Sequence, residues 1–325
     1  MKRLVAMLLA VLLAACIAVG GAFLWFRSWL DAPGPATHET VILVPRGTGL
    51  SGIAGRLVRE NVVSDARLLK LAAWYTETAG RLKAGEYLVP PGESPRAVLE
   101  RIAAGRVMVR RLTITEGLST AGIRQMVAAA EALQGDWPDE PVPEGSLLPE
   151  TYHYVYGDNR AELVARMRKA QSDLLAELWP KRAEGLPLRT PAEAVILASI
   201  VEAETPIPAE RARVAGVYIN RLRRGMRLQA DPTVAYGMTK GEAELSRPLT
   251  RADLQQATPW NTYVIDGLPP TPINHPGRAS IEAVLQPETH DFLYFVADGK
   301  GGHLFAVTYE QHLRNVAAYR ASQRR

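Results

Sequence analysis

The chain has 325 residues, 47% of them hydrophobic and 22% charged, with a net charge of +4. That balance excludes a disordered or low-complexity class, and the length allows one or two cores beside an anchor. The excess charge is scattered arginine with no aromatic-interleaved basic stripe, so nucleic acid is not an expected partner, whereas an anionic envelope polymer or lipid headgroups would suit it. The six histidines are dispersed and show no metal-ligand spacing, so neither a metal nor another cofactor is expected.

Lys2 and Arg3 precede an uncharged run from Leu4 to Phe26, about the length that crosses a bilayer core. Trp25 and Phe26 close the run as an aromatic belt before Arg27. The leading cations favour a single pass with a cytoplasmic N-terminus and an exported body, so residues 1–30 are expected to form a cytoplasmic tip and anchor. Leu13-Ala-Ala-Cys16 resembles a lipobox, which would make the chain lipid-anchored; the continued apolarity of Ile17–Phe26 favours a spanning helix. Cys16 is the sole cysteine and lies in this segment, so the body has no disulfides. Asp31-Ala-Pro-Gly-Pro-Ala-Thr37 reads as a linker over residues 31–37.

A small module follows over residues 38–112. Val41–Val44 is strand-like, helices are expected from about Gly47 to Leu57 and from Ser64 to Tyr75, and Lys83–Pro90 returns as a second strand. The Gly47-Thr-Gly-Leu50 opening and the Lys83-Ala-Gly-Glu-Tyr-Leu-Val-Pro90 close make this order resemble a LysM module, which implies binding to N-acetylglucosamine polymers. An extra helix over Ser94–Ile102 departs from that pattern. The same residues also suit a small α+β module that only orients the next domain.

Residues 113–325 form the larger domain. Val107–Thr115 alternates like a strand at the joint, Thr120–Leu133 reads as a helix, Gly135–Pro143 as an acidic proline-rich loop, and Arg160–Trp179 as a charged helix. Thr190 and Glu193 form a capping-box pattern around Pro191, and the run Ala194–Val201 is apolar on every face, so the helix is expected to be buried. Pro206 ends it near Glu204. A further helix spans Ala209–Arg224 with Gly225 as its cap. Asp231–Pro276 shows no clear elements, a length that points to function. A hairpin of Phe292–Ala297 and His303–Val307 and a helix from Tyr309 close the chain.

The buried helix carries the chemistry. A carboxyl at its end is partly desolvated, which holds its proton near neutral pH as a general acid requires. Glu202 and Glu204 both qualify, about 200° apart around the helix, and periodicity does not choose between them. Solvated surface carboxylates are the plainer reading of both.

Leu197-Ala-Ser-Ile-Val-Glu-Ala-Glu-Thr205 resembles the signature of the YceG-like (MltG) family of endolytic murein transglycosylases. The resemblance continues through Val214–Gly237, Asn261–Pro270, Ile273–Ile281 and Phe292–His303, in the family's order. It implies an α+β chain: an N-terminal transmembrane helix, a small LysM-like α+β module and a larger mixed α+β catalytic domain. It further implies an inner-membrane enzyme with a periplasmic body. Such an enzyme cleaves the MurNAc–GlcNAc β-1,4 bonds of nascent glycan strands to 1,6-anhydroMurNAc ends, and so limits strand length. The first glutamate of the signature, Glu202, is then the catalytic acid. Glu204, Gln229, Asp231, Tyr236, Asn261, Thr262 and Tyr263 are the expected substrate contacts, and peptidoglycan synthases of the penicillin-binding class are the expected partners. Glu150 and Trp260 stand where the family has Asp and Tyr. A water-using muramidase and a non-catalytic glycan-binding scaffold are the alternatives.

Overall fold

The computed structural model describes residues 2–243 and 245–323. The chain divides into two compact units, Met1–Arg110 with Tyr154–Gly157, and Arg111–His153 with Asp158–Arg325.

The first unit begins with α1, Lys2–Asp31, long and apolar enough to cross a membrane. Its last two turns enter the unit's core, where Phe26 and Leu30 are buried. The strand β1 (Thr40–Val44) leads into α2 (Leu50–Arg59) and α3 (Ala66–Tyr75), and β2 (Gly85–Val89) returns antiparallel to β1 with Thr40 opposite Val89. Asp65 caps α3, its carboxylate accepting from the Arg67 and Leu68 N–H groups. Ser94 and Pro95 start α4 (Pro95–Ala104), and left-handed Gly105 ends it. Ile42, Leu57, Leu69, Tyr87 and Leu99 fill the core between these elements. Residues 31–37, expected as a linker, are laid onto the unit. Asp31 pairs with Arg96 at 2.6 Å, Ala36 is buried, and its carbonyl accepts from Gly92 N–H. Gly34 sits so close to the Val62 and Glu93 carbonyls that a Cβ would stand 2.6 Å from each.

Short strands β3 (Arg110–Thr113) and β4 (Thr151–Tyr154) pair on either side of α5 (Thr120–Ala129), which stops earlier than Leu133. The second unit then builds from α6 (Arg160–Leu178) and α7 (Pro191–Glu204). In α7, Thr190 Oγ1 accepts from Glu193 N–H, and the Glu193 carboxylate reaches back past the cap to Arg189 N–H. Every residue from Ala194 to Val201 is buried. Ser199 offsets its polarity inside the helix: its hydroxyl donates to Ile196 O at 2.7 Å and accepts from Ile273 N–H at 3.0 Å. Thr205, ahead of Pro206, is extended (φ −140°, ψ 120°) and stops the helix.

Around α7 pack α8 (Arg211–Arg223), α9 (Asp231–Thr239) and α10 (Arg278–Leu285). Both α9 and α10 lie where no element was expected. Pro232 in the first turn is compatible with helix, and left-handed Lys240 closes α9. On α8, Gly216 lets the 288–290 segment approach; a Cβ there would meet Glu288 O and His290 Nε2 at 2.6 Å. The strands β5 (Tyr294–Ala297) and β6 (His303–Ala306) form the expected hairpin, followed by α11 (Tyr309–Ser322).

Candidate active site

The last residue of α7, Glu204, opens onto a cleft of about 570 Å³. From α8, Tyr218 and Arg221 form its floor; Gln229 and Asp231 flank the start of α9; Tyr263 comes from the loop beyond. The β5–β6 hairpin and α11 add an aromatic wall, in which Tyr294 stacks on His312 at 5.2 Å between ring centres. Such ring faces suit the apolar faces of sugars.

Electrostatics single out Glu204. Burial disfavours its charged form, and the nearby Asp231 carboxylate adds like-charge repulsion; together they push its pKa up to about 7. A hydrogen bond from Tyr218 and the charge of Arg221 pull the other way without cancelling the shift. Burial also holds Tyr218 well above an ordinary phenol, so it remains a donor to Glu204. Arg221 is buried beneath Tyr294 and donates to the Leu293 and Leu228 carbonyls, each at 2.7 Å. Asp231 accepts from the Tyr263 hydroxyl at 2.6 Å. Gln229, exposed in the cleft, holds a left-handed backbone (φ 50°), an uncommon conformation for glutamine.

The two glutamates of α7 stand in different surroundings. Glu202 faces away from this cleft. Its Oε1 takes Arg211 Nη2 at 3.2 Å and its Oε2 takes Gly277 N–H at 2.9 Å, with Arg211 also 3.4 Å from Glu116. The Glu202 side chain is only 6% exposed. The starts of α8 and α10 close over that face of α7, so both carboxylate oxygens are committed to protein donors. Glu204, expected as a substrate contact, carries the carboxyl whose pKa is raised.

Among the described residues, no group of three or more His, Cys, Asp or Glu is placed to hold a metal ion. A YceG-like family model matches residues 42–318. The chain belongs to the YceG-like family. A Bacillus subtilis protein named endolytic murein transglycosylase is 28% identical over 94% of this chain and 92% of its own length. A protein of the same name from Streptococcus pneumoniae is 26% identical over 94% of this chain, which spans 63% of that longer relative. The crystal structure of a putative YceG-like protein from Listeria monocytogenes is 27% identical and superposes with a TM-score of 0.52, covering 86% of this chain and 99% of that one.

In this YceG-like chain, two expected substrate contacts are internal braces. Asn261 is fully buried; its Nδ2 donates to the carbonyls of Leu254 and Gln256, and its Oδ1 accepts from Tyr263 N–H. Thr262, also fully buried, accepts from Ala230 N–H and pairs with Thr233 Oγ1 at 2.8 Å. Their hydrogen-bonding capacity is spent inside the protein, fixing Tyr263 and the Gln229–Asp231 segment. Tyr236 packs edge-on to Trp260 at 5.7 Å and lines a second cleft of about 580 Å³, where burial pushes its phenol up to about 12. Neighbouring residues on α7 and α9 face both clefts, Glu204 and Asp231 the first, Ala203 and Pro232 the second. Tyr218 and Arg221 were missed as site residues. Their i, i+3 spacing puts them on one face of α8, but nothing in the sequence says that this face meets Glu204.

Proposed function

We propose that this chain is a peptidoglycan lytic transglycosylase in which Glu204 serves as acid and then as base. The observation that carries the reading is a carboxyl poised near neutral pH inside an aromatic-walled cleft. The protonated Glu204 donates to the bridging oxygen of the MurNAc–GlcNAc β-1,4 bond, which breaks and releases the GlcNAc hydroxyl. The resulting carboxylate is met by the Tyr218 hydroxyl and the Arg221 charge, which stabilise it as it forms. It then takes the proton of the sugar's own C6 hydroxyl as O6 closes on C1, giving a 1,6-anhydro ring and restoring Glu204. No water is consumed.

The names of the relatives support the substrate class. The test is digestion of purified sacculi by the detergent-solubilised full chain, read by mass spectrometry. Anhydro-ended muropeptides support the reading, and absence of any cleavage would leave only a glycan-binding scaffold. Asp231 in the same cleft favours one second reading, because a hydrolase needs two carboxyls flanking the bond. Reducing rather than anhydro ends would establish that muramidase chemistry.

The same reading makes α1 a single-pass inner-membrane anchor with the N-terminus cytoplasmic and the body periplasmic. The Lys2–Arg3 cations and the apolar length of α1 support this. A periplasm-dependent reporter fused after the last residue should be active, and palmitate incorporation at Cys16 would mark a lipoprotein instead. The strand–helix–helix–strand order of the first unit supports a LysM-like role in holding glycan, and penicillin-binding synthases are the partners such an enzyme would work beside.

A further inference from the structure

The first unit presents an apolar face on α3 that lies largely outside its core. Leu69, Ala72 and Ala73 turn the inner side of α3 into the core, while Leu71, Trp74 and Tyr75 stand 55%, 72% and 44% exposed on the other side. Arg67 and Lys70 lie along the same face at helical spacing. A solvent-facing tryptophan beside a leucine and a tyrosine is costly to leave in water and usually marks a contact surface.

The position of this face relative to α1 identifies its partner. Tyr75 makes edge-to-face contacts with Phe23 at 5.9 Å and with Phe26 at 5.8 Å, both residues of α1. The stretch from Leu4 to Phe23 rises about 30 Å at 1.5 Å per residue, the thickness of a bilayer's hydrocarbon core. Phe23 therefore falls at the hydrocarbon boundary when α1 spans, and a ring in contact with it sits at headgroup depth. Tyr75 and the adjoining Trp74 are aromatic types that favour that layer, and Trp25 at the same level of α1 is 59% exposed. Arg67 and Lys70 suit anionic headgroups beside the apolar insert.

We propose that the Leu71–Trp74–Tyr75 face of α3 seats in the lipid interface, so that the first unit rests on the bilayer by a second, peripheral contact. The proposal rests on the reading that α1 spans the membrane. The experiment separates the two. The full chain is reconstituted in vesicles of phosphatidylethanolamine and phosphatidylglycerol, and spin labels are compared for collision with oxygen, which partitions into lipid, and with a water-soluble nickel chelate. Native Cys16 reports on α1. In a Cys16→Ser background, Trp74→Cys and Leu71→Cys report on the α3 face, and exposed Glu310→Cys on α11 is the aqueous reference.

Oxygen-dominated collisions at Cys16, with the oxygen-to-nickel ratio at Trp74→Cys or Leu71→Cys severalfold above that at Glu310→Cys, support the seat. An oxygen-dominated Cys16 with both α3 labels matching the reference overturns the seat and leaves the span intact. A nickel-dominated Cys16 overturns both.

Discussion

Glu202 and Glu204 stand two residues apart on α7 and point into different chemistry: Glu202 binds Arg211 and the Gly277 N–H, whereas Glu204 meets Tyr218 and Asp231 at the cleft. The glutamine variants should separate the two roles. Glu204→Gln keeps the shape but removes the titrating proton, so cleavage should fall by roughly 10²–10⁴-fold with folding intact. Glu202→Gln weakens a nearly buried ion pair and should instead cost about 1–3 kcal/mol of stability, visible as a lower Tm, with much more activity retained. Near wild-type anhydro-muropeptide yield from Glu204→Gln would return the acid to Glu202.

The pH profile should be one-sided. A pKa of about 7 on the acid means that turnover declines as pH rises above neutrality, about tenfold per pH unit once Glu204 is mostly ionised. Below neutrality the profile should stay flat as far as Glu204 is concerned, because its base form is generated by the donation itself. A bell-shaped profile, with loss of activity on a second carboxylate at low pH, would favour hydrolysis using Asp231.

The same group makes the site destabilising. Glu204 holds its proton in the folded chain up to about pH 7 and releases it near 4.5 when unfolded, so burial carries no penalty below about 4.5. The penalty grows from there through 7 and is constant above, amounting to at most roughly 3 kcal/mol. Glu204→Gln should therefore raise Tm over wild type at alkaline pH and leave it nearly unchanged at pH 4.5. Equal Tm differences at both pH values would show that the carboxyl is not held neutral.

The limits of α7 are legible in the sequence. Thr190, Pro191, Glu193 and Pro206 set the limits of α7 through local chemistry, and local chemistry is written in sequence. The choice between Glu202 and Glu204 is not, because it depends on which face of α7 the distant starts of α8 and α10 cover. The bracing by Asn261 and Thr262 is not legible for a related reason: an amide and a hydroxyl look the same in sequence whether they await a sugar or brace a loop. The helix α9 is hidden in the sequence because proline, glycine and tyrosine are also loop signals, although Pro232 falls in a first turn where proline is tolerated. For α10, the apolar spacing of Ile281, Val284 and Leu285 behind Gly277 was the signal available.

Asn261→Ala should behave as a folding variant. It removes the donor to the Leu254 and Gln256 carbonyls and the acceptor for Tyr263 N–H, which should lower stability by about 1–3 kcal/mol. With Tm as the readout, a clear fall is expected. A normal Tm with a raised KM would instead restore Asn261 as a direct glycan contact.

Gly216→Ala tests how tightly α8 is overlaid. The added methyl has only backbone and the His290 ring to displace, so a loss of about 1–3 kcal/mol is expected in chemical denaturation. An unchanged midpoint would mean that the 288–290 segment yields freely.

The passage of α1 into the core of the first unit also governs orientation. A flexible coil as long as residues 31–37 would let its ends wander over about 15 Å. Here Asp31 is clasped by Arg96, and Gly34 is wedged between two carbonyls. In a bilayer, any tilt or spin of the anchor would be handed directly to the folded unit above it. The unit's bearing would thus be set from within the lipid, and a kink placed near Leu24 would re-aim it without altering a single residue of its fold.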